Sequence, residues 1–144
     1  MKKTLIISLL LASSLDAVAD PLAKEERHPI DVNFEHCLSL DKNMTTYGME
    51  KCTIESAKEW DVELNQVYKA LMNKLDAPSK EKLRMSQRAW VKYKELEIES
   101  ISSIYRYSFQ SKNGGTMLIP MHAMDELEIT KSRTLELAGY LSIL

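Results

Sequence analysis

Two cysteines, three histidines and two runs of carboxylates are the side chains of this sequence with reactive chemistry to offer. Cys37 and Cys52 are the only thiols. In an oxidising compartment such a pair favours a disulfide, worth about 3 kcal/mol on chain-entropy grounds for a loop of this length. His28, His36 and His122 are scattered, and no H-x-x-x-H or H-E-x-x-H spacing is present. His36 adjoins Cys37, but neighbours on a helix point about 100° apart and make poor joint ligands. The expectation is no metal site.

Glu95, Glu97 and Glu99, and again Asp125, Glu126 and Glu128, are spaced closely enough to raise the question of general acid–base work. Consecutive acidic residues on helices ordinarily form a solvated face. No G-x-S-x-G elbow presents a serine, and a bridged cysteine has no thiolate to attack with. No phosphate-binding glycine loop occurs. The sequence therefore predicts a non-enzyme, with no catalytic residues and no cofactor. Tyr93, Tyr105, Tyr107 and Phe109 interleave with Lys92, Lys94, Arg106 and Lys112, a mixture also found in nucleic-acid binders. A net charge of −2 argues against that partner, and the tract reads as core with a snorkelling basic rim.

The first residues decide where this chemistry operates. Lys2 and Lys3 precede an apolar run, Leu5 to Leu11, and small residues end at Ala17-Val18-Ala19 before Asp20. That is the pattern of a cleavable export signal over residues 1–19. The run is far shorter than the ~20 residues a membrane span needs, and no cysteine at the cleavage point invites a lipid, so no membrane anchor is expected. Removing Lys2, Lys3 and Asp16 takes the net charge from −2 to −3. The expected location is the periplasm. Residues 20–33, with Pro21, Pro29 and the cluster Lys24-Glu25-Glu26-Arg27, read as a flexible leader, and 34–144 as one domain.

Within that domain, breakers are few and the pieces long. From Thr46 to Asp76 apolar residues recur three or four apart, through Cys52, Trp60, Leu64, Val67 and Leu71, with Thr45 or Thr46 at the N-cap position. Asp76-Ala77-Pro78-Ser79 turns the chain, with Ser79 placed to cap a second helix through Leu83, Gln87, Trp90, Lys94, Ile98 and Tyr105 to Phe109. The stretch Ser111-Lys112-Asn113-Gly114-Gly115-Thr116 breaks it. A last helix, entered through Thr116 or with Pro120 in its first turn, runs to Leu141. A short helix over Phe34 to Leu40 precedes the first long one. No alternating strand pattern appears.

These elements predict an all-α fold: a small antiparallel bundle made of a long helical hairpin, a C-terminal helix in its groove, and a short N-terminal helix tied by Cys37–Cys52. Folding about Ala77 sets Leu71 opposite Leu83, Leu64 opposite Trp90, and Trp60 opposite Lys94. Asp61 then approaches Tyr93 and Lys94, while Asn65, Gln87 and Arg88 fall together. Buried polar groups need partners, so these residues lock the register or form a binding face.

The motif residues resemble a known family. Cys37, Thr46, Met49 and Cys52 precede Asp61-x-x-Leu64-Asn65-x-x-Tyr68; then come Gln87-Arg88-x-Trp90-x-x-Tyr93-Lys94, Gly114-Gly115-Thr116 and Thr130-x-x-Arg133. This combination is similar to the LprI-type lysozyme inhibitor family, over Phe34 to Leu141. Many relatives carry a second cysteine pair, whose positions fall here on Ile98 and on Met124 or a residue next to it, as if a packing contact had replaced a bridge. The resemblance implies a periplasmic binding protein whose partner is a lysozyme-like muramidase. Lysozymes are usually basic, which suits a mildly acidic chain. A periplasmic structural or adaptor module, or an immunity protein against another cell-wall toxin, is the alternative. The polar loop Ser111 to Thr116 is the candidate contact surface, because its glycines allow close approach and the helices on either side hold it; the alternative is that Gly114-Gly115 only lets the chain reverse and Thr116 caps the next helix.

Overall fold

A computed structural model describes residues 27–111 and 114–144. The expected signal peptide, the leader up to Glu26, and Lys112 and Asn113 lie outside the described residues. Four helices follow in order: α1 (Pro29–Ser39), α2 (Thr46–Lys74), α3 (Ala77–Ser111) and α4 (Leu118–Ser142), with a short 3-10 turn, Asp41–Asn43, between α1 and α2. No strand occurs among the described residues. The fold is the all-α bundle expected.

The helix starts show how local chemistry sets the boundaries. Thr45 Oγ1 accepts the Gly48 N–H at 3.0 Å and caps α2. Asp76, not Ser79, caps α3: its Oδ1 accepts the Ser79 N–H at 2.9 Å. Pro78 lacks an N–H that the first turn would waste anyway, so the helix begins before the serine. Hydrogen bonding from Ser79, by its side chain first and then its N–H, holds the Asp76 carboxyl below the usual carboxylate range. Thr116 does not cap α4; Met117 occupies that position without a side-chain bond, and Pro120 lies in the first turn. α1 starts at Pro29, five residues ahead of the helix expected at Phe34. His28 Nδ1 accepts the Ile30 N–H at 3.3 Å, and Ile30 is buried against Trp60 and Leu127. Residues 29–33 therefore belong to the helix rather than to a leader.

α2 is the centre of the molecule. Gly48, Cys52, Thr53, Ser56, Trp60, Leu64, Val67 and Leu71 are all buried, three or four apart along its length. α4 runs parallel to α2 and packs along it: Leu137 joins Leu64, Val67 and Leu71 in one cluster, and Leu127 joins Trp60 and Ile30 in another. α1 is fixed across α2 by the Cys37–Cys52 disulfide, as expected. Asp31 on α1 also pairs with Lys131 on α4 at 2.7 Å. Gly48 is required where α2 meets the 3-10 turn, since a Cβ there would stand 2.4 Å from the Asn43 Cα.

α3 returns antiparallel to α2 but buries no residue. Leu83 and Trp90 lean onto the Leu64–Leu71 cluster, half-buried, in the expected register. Trp60 departs from that register. It does not face Lys94 but stacks with His28, ring centroids 4.4 Å apart, beneath Lys131. The reason is that α1 and α4, not α3, cover that face of α2.

Candidate functional site: a polar seam and the α3–α4 end

The motif residues gather along the seam of α2, α3 and α4. Asp61 Oδ1 lies 3.7 Å from Lys94 Nζ, as the hairpin register predicts, and the Lys94 ammonium sits 5.6 Å above the Trp90 ring. Asn65 does not join Gln87 and Arg88. Its side-chain amide donates back to the Asp61 carbonyl at 2.7 Å, on its own helix, and Arg88 is exposed on α3. Leu64 is buried and Tyr68 packs against the same cluster.

The partner of Gln87 is Arg133. Arg133 is buried, and its Nε donates to Gln87 Oε1 at 3.1 Å, its Nη2 to Ser86 Oγ at 3.1 Å, and its Nη1 to Glu136 at 2.7 Å. Two of the guanidinium's donors thus fix α3 to α4, and the third holds Glu136 on α4 itself. The same bond holds the Glu136 carboxyl below its ordinary range. Tyr93 stands exposed at the rim of the groove beside Arg133. Thr130 is buried one turn away, where its carbonyl accepts the Thr134 hydroxyl at 2.8 Å. Sequence reasoning looked for Gln87's partner only on α2. The signal for α4 was present: Thr130, Arg133, Thr134 and Leu137 share one stripe, and an arginine in such a stripe needs acceptors.

Met124 packs with Ile30, Trp60 and Leu127, turned away from α3. Ile98 instead lines a groove among α2, α3 and α4, together with Ala123 beside Met124. Of the two alternatives for the second position, the one next to Met124 therefore shares a groove with Ile98.

Beyond the seam, α3 and α4 converge on the loop that joins them. Ser102 Oγ lies 2.9 Å from His122 Nε2, and the Tyr105 hydroxyl donates to Asp125 at 2.7 Å. That carboxylate pushes the Tyr105 phenol up. A cleft of about 380 Å³ opens here, walled by Tyr105, Phe109, Leu118, Ile119 and His122, with Glu50 of α2 at one side. Gly114 is packed: a Cβ would meet Leu118 at 2.3 Å. Gly115 has open space around it, and Ser111, Gly115 and Thr116 are exposed. Tyr107, Phe109, Met117, Ile119 and Met121 are exposed around the loop.

Ser102, His122 and Glu126 invite comparison with a hydrolase triad, and the geometry rejects it. Glu126 approaches the same nitrogen, Nε2, at 3.3 Å, so it cannot orient the ring from the opposite side. Ser102 also sits mid-helix, where neighbouring N–H groups are consumed by the helix and none is free for an oxyanion. The group is a cross-link between helices. Among the described residues, no three His, Cys, Asp or Glu side chains converge as metal ligands, and no helix is long and apolar enough to cross a membrane.

A small disulfide-tied helical bundle with a polar seam and an exposed, partly apolar end has the parts of a binding module. The sequence profile of the LprI lysozyme inhibitor family matches residues 37–137, and the chain belongs to that family. Among solved structures it is similar to the crystal structure of an uncharacterized protein from Burkholderia thailandensis, with a TM-score of 0.68 and 26% identity. The match covers 81% of this chain and 55% of that one, so this chain spans about half the length of that protein. No curated protein matches the chain.

Proposed function

We propose that this protein is exported to the periplasm and there inhibits a lysozyme-like muramidase by direct contact. Membership of an inhibitor family carries this reading. The α3–α4 end supports it as the contact surface. Its loop, Ser111 to Thr116, is flanked by exposed aromatic and methionine side chains, of the types that anchor protein interfaces. The Ser102–His122 and Tyr105–Asp125 bonds tie together the two helices that carry the loop.

The test is a turbidity assay in which purified protein, residues 20–144, is added to a muramidase clearing cell walls. Slowed clearing is expected. Replacing Lys112 and Asn113 with alanine keeps Gly114 and the start of α4, so inhibition should weaken while the melting temperature stays unchanged. Unslowed clearing at micromolar protein would contradict the inhibitor reading and favour an adaptor or immunity role.

A further inference from the structure

α3 carries two faces, and only one of them is used inside the molecule. The inner face holds Leu83, Gln87, Trp90, Lys94 and Tyr105, which meet α2 and α4. On the opposite side Met85, Ala89, Leu96, Ser103 and Tyr107 form a second stripe, and all five are exposed. Met85, Leu96 and Tyr107 are more than half exposed, in a helix that buries nothing. Their spacing of eleven residues corresponds to three turns with about 20° of drift, so they stand almost in line. The line is about 33 Å long at 1.5 Å per residue.

The order along this stripe is symmetric. Leu96 is the midpoint. Ala89 and Ser103, both small, lie seven residues to either side, and Met85 and Tyr107, both large, lie eleven. Reversing the helix about Leu96 lays this order over itself. Leu96 then meets its own copy, Ala89 lies over Ser103, and Met85 meets Tyr107, a favourable sulfur–aromatic contact. Charge follows the same symmetry. Lys92 and Glu99 are exposed on one flank of the stripe, nearly equidistant from Leu96, and reversal brings each lysine to the other copy's glutamate. A parallel pair would carry this flank to the opposite side of the interface, so the lysine and the glutamate would not meet.

We infer that the outer face of α3 binds a second copy of this chain, as a two-fold antiparallel helix pair centred on Leu96. An isologous interface of this kind needs one self-complementary patch, which this stripe is. The α3–α4 ends then lie at opposite ends of the dimer; the pair takes up Tyr107 and leaves Phe109, Met117, Ile119 and Met121 to a partner.

Sedimentation of the mature protein from low to high micromolar concentration is expected to show the mass doubling. Leu96→Glu should hold the mass at that of the monomer, with unchanged helix content and melting temperature. Lys92→Glu and Glu99→Lys should each weaken the dimer, and the double exchange should restore it. Because Cys37 and Cys52 are already bridged, Leu96→Cys introduces a lone thiol, expected to cross-link on mild oxidation. Glu81→Cys should not, since reversal places the two copies about 45 Å apart along the helix axis. A monomer at every concentration with no cross-link at Leu96 would overturn the inference. So would a dimer that survives Leu96→Glu, or cross-linking at Glu81.

Discussion

α2 and α3 are joined by a short turn, have similar length and show similar apolar periodicity, yet one buries eight residues and the other none. The difference lies in what surrounds them. α2 is covered by α1 on one side and α4 on another, so its stripe is enclosed by Ile30, Leu127 and Leu137. α3 is attached largely by polar side chains, Gln87 and Ser86 to Arg133, Lys94 to Asp61, Ser102 to His122 and Tyr105 to Asp125. An amphipathic pattern states that a helix has something to bury, and the number of neighbours decides how much it buries. The scaffold is α2 with α1 and α4. α3 is laid on it as the more exposed layer, with the proposed contact surface at its end.

The strongest break of this contrast comes from the two tryptophans. Trp60 is fully buried, so Trp60→Ala should cost about 3–5 kcal/mol by denaturant unfolding. Trp90, half-buried, should cost clearly less for the same change. Equal costs would mean that α3 is as much core as α2. Trp60 Nε1 is buried without a partner, so Trp60→Phe should lose packing but no hydrogen bond.

Polar attachment of α3 should register next. Gln87→Ala leaves a donor of the buried Arg133 unpaired and should cost about 1.5–3 kcal/mol. Glu136 adds a pH signature. Its carboxyl is held below its ordinary value by Arg133, so its contribution is present above about pH 4.5 and is lost as pH falls through the folded value. Glu136→Gln should flatten that acid limb of an unfolding titration. The smallest effect is at Asp61 and Lys94. Asp61 is exposed, so a double-mutant cycle on Asp61→Asn and Lys94→Met should return a coupling below about 1 kcal/mol. A larger value would mean that the α2–α3 seam is drier than its exposure indicates.

Much of this arrangement was legible in the residues. The spacing from Cys52 to Leu71 marked the core face of α2, and the turn at Ala77 set Asp61 against Lys94. Two cysteines in a chain whose first residues read as an export signal pointed to the bridge. Other features were not readable, for identifiable reasons. Pro29 reads as part of a flexible leader, although proline suits a first turn and His28 caps it. Pairing α2 with α3 by reflection about the turn considered two helices only, which hid the third. Gln87 was therefore assigned to Asn65 instead of Arg133, and the burial of Trp60 under α1 was missed. The cross-links Ser102–His122 and Tyr105–Asp125 carried no sequence signal, since serine and tyrosine on a helix have many uses.

Hydrogen exchange, on dilute protein with and without a muramidase, tests the division into scaffold and more exposed layer most directly. In the free protein, amides of α2 and α4 between residues 60 and 71 and between 127 and 137 should exchange only with global unfolding, and those of α3 sooner. Adding the enzyme should slow exchange across residues 103–121 and leave α2 unchanged. Equal protection of α2 and α3 in the free protein, or enzyme-induced protection on α2 with none at the α3–α4 end, would contradict the account.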